Sequence, residues 1–275
     1  MSTTYRQYQE ARDAAWRALL RVRSKRLPID VEALARDVGM RILPYPEQRE
    51  QPRLWALLNQ AGGGRCVTLR IRGEWHIFLR EQALDDAARR FSVAHELGHL
   101  LLEHDTRTLA PGVRVFLTPP CAGDLLIDPA SPEDYAADIF AIRLLAPACL
   151  LHEMHIDTPS GIMRFCLLPP KAAAFRAERI QLLNERDAFF SHPLERQVRD
   201  AYLPFLRQEM SLPGQVPSVP PAHRPVDLLI AMPNRPAGND PPTEELPPQG
   251  KRKYGLFALA AGIGGIVLFC IFLRK

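Results

Sequence analysis

Apolar residues along the first 210 positions follow two different periods. Near residues 5–25 they recur every three or four positions, as from Ala14 to Val22, which predicts an amphipathic helix. At residues 66–79, two runs with β-branched and aromatic residues flank Arg72-Gly73, a pair typical of a hairpin turn. These patterns predict the α+β class, with a small mixed or antiparallel sheet and helices packed on one side of it.

Capping residues predict two helices in the middle of the chain. Asp85 or Asp86 begins one that runs to about His104, and Ser131 begins another that Pro147 closes. The patterns also predict a helix from Asp30 to Val38 and extended pieces at residues 41–43 and 55–58. Two or three further helices are expected within residues 158–209. Residues 1–210 are therefore expected to form one domain.

Beyond residue 210 the composition changes twice. Residues 211–253 are rich in proline and poor in apolar side chains, which predicts a disordered linker. Residues 254–273 contain no charged side chain and would span roughly 30 Å as a helix, which predicts a transmembrane segment rather than a buried core helix. The basic run Lys251-Arg252-Lys253 favours the cytoplasmic side for the preceding domain. The sequence thus predicts a single-pass, tail-anchored protein of the cell membrane whose domain faces the cytoplasm.

The charge balance and the cysteines limit the kind of site that the domain can carry. With 35 basic and 31 acidic residues the net charge is only +4, which argues against nucleic acid as the partner. The five cysteines include no Cys-x-x-Cys pair, so they predict neither a cysteine-based zinc finger nor a disulfide framework. A metal bound here is expected to have histidine and carboxylate ligands.

The clearest chemical signal is the run His95-Glu96-Leu97-Gly98-His99 on the helix predicted at 85–104. Residues four apart share one face of a helix, so both imidazoles can bind the same zinc ion. Glu96 is placed to take a proton from a zinc-activated water that attacks a peptide carbonyl. The alternative is a pair of core histidines satisfied by hydrogen bonds, which leaves Glu96 as a costly buried acid. Gly98 either admits another backbone or simply packs tightly.

A zinc peptidase needs a third protein ligand and an open fourth position. If the helix continues, His104 lies roughly 140° off the face of the two ligands, and we expect it behind them or at the surface. His152 and His155 follow Pro147, and no spacing places them near the motif.

Carboxylates at the start of the next predicted helix are better candidates. Asp134 and Asp138 lie one turn apart, so one can ligate while the other orients a ligand histidine. Helix capping with Ser131 would explain Asp134 alone, though not Asp138. The predicted third ligand is Asp134, with Glu133 as the alternative.

Two stretches, RFSVAHELGHLLLEH at 90–104 and AADIFAIRLLAP at 136–147, resemble the ImmA/IrrE family of zinc metallopeptidases. The resemblance extends over about residues 5–205 and implies a thermolysin-like, gluzincin-type core. The family's carboxylate ligand falls on Asp134, where the family usually has Glu, and its Asn/Asp position falls on Asp138. The resemblance also implies that Trp75–Leu79 is the edge strand that pairs with an extended substrate.

The expected function is that of a zinc endopeptidase cleaving a partner protein. The resemblance implies that this partner is a helix-turn-helix transcriptional repressor. The alternative is a non-catalytic regulator, stabilised by zinc, that binds a protein or DNA through the sheet edge or the helical hairpin predicted at 158–183. Glu96 favours the enzyme, because a purely structural zinc site needs no base beside its first ligand.

Overall fold

A computed structural model of the protein describes residues 3–117 and 131–210, all within one compact unit, Met1–Pro221. The predicted linker at 211–253 and the predicted transmembrane helix at 254–273 lie outside the described residues. The helices are α1 Thr3–Arg21, α2 Val31–Asp37, α3 Pro52–Gln60, α4 Asp86–Leu101, α5 Pro132–Leu145, α6 Ala148–Glu153, α7 Pro159–Cys166, α8 Pro170–Glu185 and α9 Pro193–Met210. The strands are β1 Met40–Pro44, β2 Cys66–Ile71, β3 Glu74–Leu79, β4 Thr106–Ala110 and β5 Val113–Phe116. The α+β class with a mixed sheet is confirmed.

The five strands form one sheet in the order β1-β3-β2-β5-β4. Only β1 and β3 run parallel, and the other neighbours are antiparallel. The predicted hairpin joins β2 to β3, and Arg72 and Gly73 both have positive φ, at 51° and 91°, as a tight two-residue turn requires. The prediction that Trp75–Leu79 is an edge strand is wrong, because β1 and β2 pair with its two sides.

Helices cover both faces of the sheet, whereas the sequence predicted one side only. Ile77 and Leu79 of β3 face the main core with α4 and α5, while Phe78 faces a smaller apolar cluster with Leu58. Leu58 belongs to α3, so the extended piece predicted at 55–58 is in fact helical. Pro52 at the first position of α3 favours the helix, and burial of Leu58 against the sheet holds it there.

Helix α4 contacts β2 and β3 of the sheet and packs against α5, and both helices contribute buried residues to the main core. Within the described residues, Pro132–Glu153 is long and apolar enough to cross a membrane. That stretch is 83% buried inside the fold over its most apolar window, as expected of a core helix. The two helices that carry the candidate ligands therefore both contribute to the main core.

The ends of α4 are set by local capping. Asp85 is the N-cap, and its carboxylate accepts a hydrogen bond from the Ala88 amide at 2.7 Å. The helix ends at Leu101, earlier than predicted, because Glu103 takes a left-handed conformation with φ 55°. The turn is closed by the His104 amide, which donates to the His99 carbonyl at 3.1 Å. His104 therefore does not continue the helical spiral.

Candidate metal centre

Three of the predicted ligands meet between α4 and α5. His95 Nε2 lies 3.0 Å from His99 Nε2 and 3.3 Å from Asp134 Oδ1, and His99 Nε2 lies 3.8 Å from the same oxygen. Atoms about 2.0–2.1 Å from a tetrahedral zinc ion are about 3.3 Å apart, so these separations suit one shared ion. The two imidazoles are 1% and 2% exposed, which keeps competing water away from them. The three side chains could hold a metal ion.

Asp134 combines helix capping with the ligand geometry. Its amide donates to Ser131 Oγ at 3.1 Å, which is the capping interaction that the sequence predicts. Its own carboxylate takes no part in that cap. Among the described residues, no donor forms a hydrogen bond to Asp134 Oδ1, although this oxygen is buried. A buried carboxylate oxygen without a donor, facing two imidazole nitrogens, fits a cation.

A further side chain contacts the Nδ1 atom of each imidazole, on the side of the ring away from the other candidate ligands. His95 Nδ1 lies 2.8 Å from Asp138 Oδ1, so the carboxylate accepts the proton of that nitrogen and directs Nε2 inward. His99 Nδ1 lies 2.8 Å from His104 Nδ1. Burial lowers the pKa of His99 well below its usual range, which keeps the ring neutral and its lone pair available to a metal. Asp138 stands where the sequence predicts an orienting carboxylate.

Glu96 lies beside the three candidate ligands and is not one of them. Its side chain is buried, and this burial raises the pKa of Glu96, while the neighbouring His95 lowers it. Thr68 and Cys66, on the same face of β2, also lower the pKa of the carboxyl group. Glu96 is therefore a buried acid with a raised affinity for protons, as a general base requires.

Glu133 and the remaining histidines occupy other places. Glu133 and His104 line a cavity of about 200 Å³ beside the centre, and Glu133 is not within the three-residue group. His152 stacks on Phe189 with ring centroids 4.1 Å apart, and His155 lines a second cavity together with His152. Asp134 is thus the carboxylate that the structure brings to His95 and His99.

Two contributions to the centre were missed from sequence. Phe116, at the end of β5, stacks on His99 with ring centroids 5.0 Å apart, and Trp75 stacks on Phe116 at 4.8 Å. Thr68 and Cys66 face Glu96 from β2. No local pattern marks these residues, because strand pairing alone brings them to the helix. The nearness of His104 to His99 depends in turn on the left-handed Glu103.

Comparisons with known proteins identify part of the chain. Residues 53–178 match the family model described as the IrrE N-terminal-like domain, a family of peptidases. No curated protein and no solved structure matches the chain. The matched segment contains the whole motif on α4 and all the carboxylates of α5 named above. The match over residues 53–178 confirms the resemblance to the ImmA/IrrE family and supports a peptidase.

Proposed function

We propose that the protein is a zinc-dependent endopeptidase with a thermolysin-like centre, in which His95, His99 and Asp134 hold the ion. The observation that carries the proposal is the meeting of these three ligand atoms beside the buried Glu96, within a peptidase-type domain. Nitrogen and carboxylate ligands of this kind suit zinc, and three protein ligands leave a position for water or substrate.

Different residues of the chain have different roles in the proposed reaction. When bound, zinc supplies Lewis acidity, which polarises a peptide carbonyl and makes water acidic near neutral pH. Asp138 keeps the His95 ring oriented through its 2.8 Å contact with Nδ1. The carboxylate of Glu96 accepts the proton of the attacking water and then donates it to the departing amine. The burial that raises the pKa of Glu96 makes this carboxylate a stronger base.

The substrate that we propose is an extended segment of a partner protein. In line with the family resemblance, we propose that this partner is a helix-turn-helix repressor. Among the described strands, β4 is an edge of the sheet, and it begins at Thr106, two residues after His104. An exposed strand edge can bind an extended peptide through backbone hydrogen bonds. We therefore assign to β4 the substrate-side role that the family resemblance implied for Trp75–Leu79.

The alternative, a non-catalytic regulator that binds DNA through residues 158–183, finds less support. These residues do form a helical hairpin, α7 and α8. Two of its four basic side chains face inward, however. Arg176 is 3% exposed and donates to the Ala146 carbonyl at 2.6 Å, and Arg179 donates to the Tyr8 hydroxyl at 3.0 Å. Only Arg164 and Lys171 remain on the exposed surface of this hairpin.

Replacing Glu96 with Gln tests catalysis, because the amide preserves size and hydrogen bonding but cannot accept the proton. We expect Glu96→Gln to keep its zinc and to lose turnover by two orders of magnitude or more, the usual contribution of a general base being about 10²–10⁴-fold. Profiles of new protein N-termini in cells with the wild type and with this variant measure the loss. Glu178→Gln, on the exposed face of α8, is the matched control. Equal cleavage by wild type and Glu96→Gln would refute a catalytic role.

We also propose that residues 254–273 anchor this domain to the cytoplasmic face of the cell membrane. Support comes from the uncharged length of the segment and the basic run before it. Deletion of residues 254–275 should move the protein from the membrane fraction to the soluble fraction. Retention of the shortened chain in membranes would contradict this anchor.

A further inference from the structure

A turn after α4 places His104 beside the metal centre, although its spacing from His99 in the sequence does not predict this position. After α4 ends, Glu103 adopts φ 55° and the His104 amide donates to the His99 carbonyl at 3.1 Å. This turn brings the His104 ring against the His99 ring, with centroids 4.9 Å apart and an interplanar angle of 72°. The two Nδ1 atoms are 2.8 Å apart, which is hydrogen-bonding distance.

Only one arrangement of protons suits both this contact and a metal. His99 Nε2 faces His95 and Asp134, so its lone pair must remain free for the ion. The proton of a neutral His99 ring then resides on Nδ1, which donates to His104 Nδ1. His104 must in turn be neutral and protonated at Nε2.

We propose that His104 is a positioning residue, which fixes the tautomer and the ring plane of His99 and so raises the affinity of the site for zinc. This inference rests on the proposed zinc site. His104 is not itself a ligand, because it contacts the side of the His99 ring opposite to the nitrogen that faces the other ligands. Side chains that hold ligand histidines in this way typically change metal affinity by about 10–100-fold.

The two ligand histidines differ in the acceptor that holds them. Asp138 offers a carboxylate to His95, whereas His104 offers a neutral imidazole to His99. A hydrogen bond to an ionised acceptor is about twice as strong as one between neutral groups. Loss of the His104 nitrogen should therefore weaken zinc binding by about 10-fold, and loss of the Asp138 carboxylate should weaken it by closer to 100-fold.

The test compares zinc dissociation constants, measured on the full chain by competition with a chelator. His104→Phe keeps an aromatic ring against His99 but removes both nitrogens, and we expect about 10-fold weaker binding. His104→Asn places an amide oxygen near the position of Nδ1 and should restore most of the affinity. His152→Phe makes the same exchange at a histidine that stacks on Phe189 and should leave affinity unchanged. Thermal unfolding of the zinc-free proteins shows whether each variant folds.

A second readout reports the tautomers directly. In ¹⁵N-edited NMR spectra of the zinc-loaded wild type, we expect a proton on His99 Nδ1 and on His104 Nε2, and none on His104 Nδ1. Affinity unchanged in His104→Phe, or a proton found on His104 Nδ1, would overturn the inference while leaving the zinc site in place. Failure of the wild type to bind zinc would overturn the site and this inference together.

Discussion

Replacing Gly98 with Ala tests how closely the two ligand-bearing helices approach each other. A Cβ built on Gly98 would lie 3.2 Å from both the Cα and the carbonyl oxygen of Ala137 and 3.0 Å from Phe140 Cδ1. Ordinary contacts of a Cβ atom are 3.4–4 Å. The Ala137 atoms belong to the backbone of α5 and cannot rotate away, so the helices must separate by a few tenths of an ångström.

Two opposing effects determine the size of the change. Alanine favours a helix over glycine by about 1 kcal/mol, whereas overpacking a core costs about 1–3 kcal/mol. Because the clash is with backbone in a fully buried region, we expect overpacking to prevail and the free energy of unfolding to fall by about 1 kcal/mol. The displacement of α5 also moves Asp134 relative to His95 and His99, so zinc should bind less tightly.

Urea denaturation of the zinc-free protein measures the first effect, and chelator competition measures the second. Gly161→Ala is the matched control, because its Cβ would meet only the side chains of Ile156 and Thr158, both at 3.0 Å, far from the ligands in sequence. That variant should keep its zinc affinity. A Gly98→Ala protein that is as stable as the wild type and binds zinc as tightly would refute the close packing of α4 on α5.

Three further outcomes follow from the structure. Removing zinc with a chelator should lower the melting temperature, because a ligand at 1,000 times its dissociation constant stabilises the fold by about 4 kcal/mol. An unchanged melting temperature would mean that the folded state binds no zinc. Burial raises the pKa of Cys149 and of Cys166 to about 12. The free energy of unfolding that these thiols contribute is therefore complete below the thiol pKa of the unfolded chain, about 8.5, and falls by about 1.4 kcal/mol per thiol and pH unit above it. Urea titrations between pH 8 and 11 check this, and replacing both cysteines with Ala should flatten the profile. Arg176→Ala leaves the Ala146 carbonyl without its buried donor and should lower the free energy of unfolding by about 1–3 kcal/mol, measured by urea denaturation. Replacing the exposed Arg164 with Ala should lower it by less than about 0.5 kcal/mol, and equal losses in the two variants would contradict the buried contact.

Features with a local cause could be predicted from the sequence. Residues four apart on a helix share a face whatever surrounds them, so the pairing of His95 with His99 required only the prediction of α4. Asp134 and Asp138 followed in the same way from the predicted α5. The hairpin at Arg72-Gly73 is equally local, since both positions need positive φ.

Features that depend on distant pairing or on a single backbone angle could not be predicted. The place of β3 inside the sheet depends on its parallel partner β1, which no short pattern specifies. Residues 55–58 are too short a run to distinguish strand from helix without the proline that begins α3. The position of His104 follows from the left-handed Glu103, where a glycine would have been the expected signal.

The metal content of the purified chain and of two single variants tests the central claim most directly. Dialysed against zinc and then against buffer, the wild type should retain one zinc ion per molecule. Asp134→Ala should lose the ion, whereas Glu133→Ala, which removes the neighbouring carboxylate, should retain it. Absence of zinc from the wild type, or its loss from Glu133→Ala and not from Asp134→Ala, would contradict a centre built from His95, His99 and Asp134.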